Sequence, residues 1–279
     1  MSNAIKKASH LAWIGVFVLL VIASFWDLQI SDFVFNPTSF YYKLFGGIGE
    51  LPVFVFSMIA GLLLIRYKNS NIKWIGILQL IGGVLLVLYG VLLTWASTSR
   101  YWFESTPVIG FIFPIVFFGV VFLTTRKYFF HLDRKKAIQL SLFFALLVVG
   151  ALVLVTVIRF PWGRMRYFYM IDPAQEFTQW FIPQGVGSIE AVSFPSGHAA
   201  NAAVAFGLLA LPLTFDNLKK HETTFFIIAL LWSLLVAGSR VVGGMHFLSD
   251  VTFSILLVMA LTNSLLNFLF YKPERKMKA

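Results

Sequence analysis

Eight apolar runs of about membrane-spanning length constrain this chain more than any other feature. They fall near residues 11–26, 51–67, 75–97, 108–125, 137–158, 197–215, 223–240 and 247–270. Inside a bilayer no water bonds the backbone, so a spanning segment must satisfy its own N–H and C=O groups as a helix or within a closed barrel. Runs of this length match helices, since a barrel strand needs only about 9–11 residues. The sequence therefore predicts an all-α fold, a polytopic transmembrane bundle of about eight helices. Helices one to four lie in residues 1–136 and helices five to eight in residues 137–279, within one continuous membrane domain. Charged residues make up 12% of the chain, half the ~25% of a soluble domain, which excludes a water-soluble globule. Lys6 and Lys7 precede the first run as they would in a signal peptide. No small-x-small cleavage site follows it, so it is expected to remain as helix one. The absence of cysteine excludes disulfides and thiolate metal sites.

A net charge of +10 would suit a nucleic-acid partner. The basic residues, however, stand in short clusters between apolar runs, where membrane orientation accounts for them, and no nucleic acid is expected. With the N-terminus inside, sixteen of the 22 fall on the inner side. These are Lys6 and Lys7; Arg66, Lys68 and Lys73; Arg126, Lys127, Arg134, Lys135 and Lys136; Lys219 and Lys220; and Lys272, Arg275, Lys276 and Lys278. The sequence thus predicts a multi-pass protein of the cell membrane with both termini cytoplasmic. The outer basic residues are Lys43, Arg100, Arg159, Arg164, Arg166 and Arg240. Four of these six lie beside the motifs described next, which points to a role beyond orientation.

Three short stretches carry candidate chemistry. In Ser239-Arg240-Val-Val-Gly-Gly-Met-His246-Phe-Leu-Ser-Asp250 the histidine and aspartate are four residues apart. On a helix they share a face, and a carboxylate oxygen reaches an imidazole N–H. Such a pairing fixes the tautomer and makes the other ring nitrogen a better nucleophile or base. Arg240 adds a planar donor fork suited to phosphate. Phe194-Pro195-Ser196-Gly197-His198 opens the sixth run with helix-start residues, which turns unpaired N–H groups and a positive dipole end toward an anion. Gly197 lets the backbone approach that anion, and His198 stands beside it as proton donor. Arg159-Phe-Pro-Trp-Gly-Arg164-Met-Arg166-Tyr167 ends the fifth run, broken by Pro161 and Gly163. Each stretch alone has a plainer reading: a satisfied interfacial histidine, an N-cap beside an incidental histidine, a headgroup anchor. Topology joins them, because all three fall on the outer face. Together they supply a nucleophile, its orienter, a general acid and cations for the equatorial oxygens. That is the inventory of phosphoryl transfer without a metal.

Arg159-x6-Arg166-Tyr167, Pro195-Ser196-Gly197-His198 and Ser239-Arg240-x5-His246-x3-Asp250 resemble the three signature motifs of the type 2 phosphatidic acid phosphatase (PAP2) superfamily. Those motifs read Lys-x6-Arg-Pro, Pro-Ser-Gly-His and Ser-Arg-x5-His-x3-Asp. The last two match at every fixed position. In the first, Arg159 stands for lysine and Tyr167 for proline, which alters the reach of the cation and the local backbone path. The resemblance covers roughly residues 137–270. It implies that His246 attacks phosphorus and becomes phosphohistidine, that Asp250 orients it, and that His198 protonates the leaving oxygen and later helps activate water. It also implies that Arg159, Arg166, Arg240, Ser196 and the Gly197 amide hold the phosphate, with no metal and no cofactor. Arg164 fills no motif position and is left as a headgroup contact. Six-helix members carry two helices before the helix of the first motif. Here there are four, and the extra pair has no role that the sequence assigns.

The implied activity is hydrolysis of a phosphate or pyrophosphate on a lipid substrate: polyprenyl pyrophosphate, phosphatidate or phosphatidylglycerophosphate. Polyprenyl pyrophosphate is favoured, because the simple multi-helix build resembles bacterial members that serve the cell envelope. Two alternatives stand beside it: a phosphotransferase of the same superfamily, and a non-enzymatic lipid transporter. Transporters carry charges at the midplane, whereas these cluster at one face, with Asp27 the nearest to an exception. Residues 168–192 form a long outer loop whose Phe177, Trp180 and Phe181 make an interfacial belt or a substrate lid. Its acids Asp172, Glu176 and Glu190 do not have the spacing of a metal set.

Overall fold

The structure, a computed structural model, describes residues 3–271 apart from Ser105 and Ile189. The first six helices are α1 (Asn3–Val34), α2 (Phe40–Ile48), α3 (Leu51–Arg66), α4 (Lys73–Tyr101), α5 (Pro107–Tyr128) and α6 (Arg134–Arg159). A long connection follows, with one helical turn, α7 (Pro173–Glu176). The helix α8 (Gly197–Ala203) tightens into a 3₁₀ stretch and continues as α9 (Leu211–Thr214). Last come α10 (Glu222–Val242) and α11 (Leu248–Leu266), the latter widening into a π turn at Asn267–Tyr271. Among the described residues there is no strand. Among the same residues eight segments are long and apolar enough to cross a membrane, and each overlaps one of the eight expected runs.

Local signals set the element ends. Ser39 caps α2 by accepting the Tyr42 N–H at 3.1 Å, and Asp133 caps α6 by accepting the Lys136 N–H at 3.0 Å. The break at Gly49–Glu50 divides the second span into α2 and α3, with Pro52 in the first turn of α3, where its missing N–H costs nothing. α1 leaves helical geometry at Trp26 (φ −127°, ψ 15°), and the residue that follows, Asp27, is buried.

The spans Phe40–Arg66 and Gly197–Thr214 are the most enclosed, with 72% and 67% of their apolar windows buried. For Lys73–Tyr101 the figure is 17% and for Val108–Tyr128 it is 22%, so α3 and α8 sit at the centre while α4 and α5 face lipid. α3 packs on α4, α5, α6 and α8, and the Phe56 and Phe144 rings stack at 4.3 Å between α3 and α6. Lipid tails are as apolar as leucine, so close packing drives helix association here more than escape from water does. Gly61 shows the consequence: a Cβ there would lie 2.4 Å from the Gly83 carbonyl of α4, and any larger residue would wedge the two helices apart.

The spans alternate in direction. The ends of α1, α4, α6 and α10 therefore meet the starts of α2, α8 and α11 at one end of the bundle. Hydrogen bonds tie that end together: Asn36 N–H to the Val242 carbonyl at 2.8 Å, Phe168 N–H to Gly244 at 2.9 Å and Ser193 N–H to Arg164 at 3.0 Å. Of the basic residues expected on the inner side, Lys272, Arg275, Lys276 and Lys278 lie outside the described residues.

Candidate active site

After α10 the chain turns at Gly244, whose φ of +66° is left-handed and whose absent Cβ would strike the Phe35 ring. This turn carries His246 into the protein, 4% exposed, ahead of α11 rather than on it. Its Nδ1–H donates to the Ser193 carbonyl at 2.6 Å. A carbonyl only accepts, so the proton sits on Nδ1 and the lone pair on Nε2. Burial lowers the imidazole well below the ordinary histidine value, the Arg166 and Arg159 guanidiniums push the same way, and the Ser193 bond opposes them. The ring is therefore held neutral at neutral pH.

The expected helical pairing of His246 with Asp250 is corrected in its detail. Asp250 lies in the first turn of α11, where its carboxylate turns back to accept the Phe247 N–H at 2.8 Å. The same oxygen accepts the Ser193 hydroxyl at 2.5 Å and stands 3.9 Å from His246 Nδ1. Ser193 thus joins the two, carbonyl to histidine and hydroxyl to aspartate.

The residues expected to hold phosphate come from the helix ends around this segment and from the long connection. Ser196 caps α8 by accepting the Ala199 N–H at 3.3 Å, which leaves its own hydroxyl proton to donate. Arg159, the last residue of α6, donates from Nη2 to the Pro195 carbonyl at 2.7 Å. Gly197 permits that approach, since a Cβ there would lie 2.9 Å from Arg159 Nη2. Arg166 holds its place through its N–H on the Glu190 carbonyl at 3.2 Å. Arg159 Nε, Arg166 Nε and His198 Nε2 are buried with no hydrogen-bond partner, a rare condition for such atoms, and all three belong to motif residues. Arg240 is fully buried, and donates to the Ser239 hydroxyl (3.1 Å), the Tyr101 hydroxyl (3.2 Å) and the Tyr42 carbonyl (2.8 Å).

Arg164 is not a headgroup contact. It is fully buried and donates to Asp250 at 2.5 Å, to Asp27 at 3.0 Å, to the Ser249 hydroxyl at 2.8 Å and to the Thr178 carbonyl at 2.9 Å. Its guanidinium lies 4.2 Å from the Phe247 ring centroid. Asp27, the one charge that looked like a mid-membrane exception, is the other half of this cluster and also accepts the Ser249 N–H at 2.9 Å and the Ser249 hydroxyl.

No sequence motif marks Glu50. Its carboxylate is buried between α3, α4 and α8, accepting from Asn201 at 2.5 Å and Ser97 at 2.8 Å, with His198 Nε2 at 3.7 Å. Tyr167, where the motif has proline, donates to Asp32 of α1 at 2.7 Å. Burial and that carboxylate push its hydroxyl up to about 12, so it remains a donor. In the long loop, Phe177 packs over Phe247 and Trp180 over Phe194 and Phe253, while Phe181 is exposed. Phe177 also lies against the buried ion cluster, with the Arg164 guanidinium 5.3 Å from its ring centroid.

Residues 138–274 match the family model described as the PAP2 superfamily. Over 61 residues the chain is 44% identical to phosphatidylglycerophosphatase B of Bacillus subtilis (strain 168). That stretch is 21% of this chain and 30% of the relative, so the match spans less than a third of that protein's length. No solved structure matches the chain.

Proposed function

Residues 138–274 belong to the PAP2 superfamily, and from that premise we propose that this protein is a membrane phosphatase acting on a lipid phosphate or pyrophosphate without a metal. The observation that carries the reading is the pair of buried, unpartnered guanidinium nitrogens, Arg159 Nε and Arg166 Nε, whose charges bear on the neutral His246 ring. A phosphate supplies the acceptors that these groups lack.

In the proposed cycle His246 Nε2 forms a bond to phosphorus as the bond to the leaving oxygen breaks. His198 gives that oxygen its proton. Water then attacks the phosphohistidine, His198 takes the water's proton, and inorganic phosphate leaves. Arg159, Arg166, Arg240, Ser196 and the Gly197 amide hold the equatorial oxygens. Asp250, bonded to Ser193 and Arg164, fixes the segment that aims His246. The reading places the site on the outer face, with both termini cytoplasmic.

The test is phosphate release by purified protein from phosphatidylglycerophosphate, phosphatidate and a polyprenyl pyrophosphate, each with and without a strong chelator. Release that survives chelation is expected, with acid-labile, base-stable label from ³²P-substrate on the peptide holding His246. His246→Ala should abolish label and turnover, and His198→Ala should slow turnover about 10²–10⁴-fold, the usual worth of a general acid. No release from any of the panel overturns the function. Release lost on chelation and restored by magnesium overturns the mechanism, and label on the peptide holding His198 reverses the two roles.

A further inference from the structure

We propose that Glu50, from the N-terminal half of the chain, is the positioning residue of His198. This rests on the phosphatase reading above. Two carboxylates stand beside the two site histidines, yet only Asp250 belongs to a motif. Glu50 is 151 residues from Asn201 and lies outside the stretch that matches the family model.

The burial of Glu50 calls for an explanation. An ionised carboxylate taken out of water is costly unless paired and bonded. An acidic residue at the N-cap of a helix ordinarily accepts a backbone N–H of that helix. Glu50 occupies that place on α3 and makes no such bond. Its carboxylate points instead across the bundle. Oε1 accepts from Asn201 Nδ2 at 2.5 Å and Oε2 accepts from Ser97 Oγ at 2.8 Å. These bonds fix both oxygens, and Oε2 then lies 3.7 Å from His198 Nε2, a nitrogen that is buried and bonded to nothing else.

Asn201 follows His198 by three residues on α8, so one helical face presents both to the same carboxylate. A small turn of the ring lets Nε2–H donate to Oε2. The other ring nitrogen is then left to exchange the proton with the leaving oxygen in the first half-cycle and with water in the second. The ring is charged in one half of each cycle and neutral in the other. A fixed carboxylate is the counter-charge for the charged half. Glu50 itself touches neither phosphate nor water and keeps its charge throughout.

The test is leaving-group dependence, which a merely structural role would not produce. With full-length protein in detergent, kcat is measured on phosphatidate, whose leaving group is an alkoxide in need of a proton. It is also measured on an alkylated 4-nitrophenyl phosphate, whose phenolate leaves unaided. Glu50→Gln should lower kcat on phosphatidate about 10–100-fold, the usual loss when an imidazole's outer partner is removed. On the aryl substrate it should lose under about 3-fold, and on phosphatidate it should add nothing to the loss caused by His198→Ala. Ser97→Ala, which removes one of the bonds that fix Glu50 and no charge, should show the same selectivity at smaller size. It carries the test if Glu50→Gln does not yield monodisperse protein. Equal losses on both substrates, or a loss that multiplies that of His198→Ala, overturns the inference. A wild-type protein inactive on both substrates and on the rest of the panel above overturns the phosphatase function itself, a result distinct from either.

Discussion

Replacing Arg164 by alanine should unfold this protein at a markedly lower temperature, and the structure says by how much. The guanidinium is fully buried and serves two carboxylates at once, Asp250 at 2.5 Å and Asp27 at 3.0 Å. Removing one partner of a buried ion pair costs about 3–5 kcal/mol, because the charge left behind is unpaired. Here two are left, but the cost is not doubled. Asp27 keeps its bonds from Ser249, Asp250 keeps those from Phe247 and Ser193, and either carboxyl can take up a proton. A loss of about 3–5 kcal/mol corresponds to a fall in Tm of roughly 6–20 °C at 2–4 °C per kcal/mol. Thermal unfolding in detergent, followed by the eight tryptophans, reads it directly. Arg164→Lys should recover little, since one ammonium cannot reach Asp27, Asp250 and the Thr178 carbonyl together. Adding Asp27→Asn to Arg164→Met should restore part of the loss by removing one of the two stranded charges. A change in Tm worth less than about 0.5 kcal/mol, the value for an ordinary surface site, would refute the buried cluster and return Arg164 to the headgroup region.

Two further outcomes are expected. Cysteines placed at Ser188 and at Lys219, in a chain that has none, should react oppositely with an impermeant reagent, 188 from outside and 219 only after permeabilisation; the reverse pattern refutes the orientation. Because burial holds the native His246 imidazole well below the unfolded value of about 6.5, the unfolded state binds a proton that the native state refuses as pH falls through that value. Tm should therefore decline from pH 7.5 to 5.5, and less steeply in His246→Gln; an equal or steeper slope in the variant refutes the assignment.

The eight spans were legible because hydropathy is a local quantity, read within each run. The motif residues were legible because their spacing is short and their chemistry specific. What escaped was every partner brought in by packing: Glu50 for His198, Asp27 for Arg164, Ser193 between His246 and Asp250. Sequence separations of 53 residues (Ser193–His246), 57 (Ser193–Asp250) and 137 (Asp27–Arg164) leave no periodicity to detect. A weaker signal was present. Asp27 and Glu50 stand at the edges of apolar runs, where an unpaired carboxylate is expensive, and each therefore implied a buried partner without naming it. The His246–Asp250 pairing was misread for a different reason. Four-residue spacing suggests a shared helical face, but here the helix begins at Leu248, and a first-turn carboxylate prefers the free backbone N–H beside it.

The N-terminal helices bear on the site through charge. Arg164 in the long connection is balanced by Asp27 of α1, and His198 of α8 faces Glu50 at the start of α3. Arg240 of α10 rests on the Tyr42 carbonyl of α2 and the Tyr101 hydroxyl of α4. Each of these C-terminal groups would be a buried charge or polar group without its proper counterpart if α1 to α4 were absent. Tail-filled lipid could not replace those counterparts, and water entering in their place would raise the local dielectric and weaken the proposed hold on phosphate. In the proposed reading the motifs supply the chemistry from residue 159 onward, but the partners that hold those residues in place come from both halves. A change at Asp27 or Glu50 can therefore reach the proposed phosphate site without altering any motif residue.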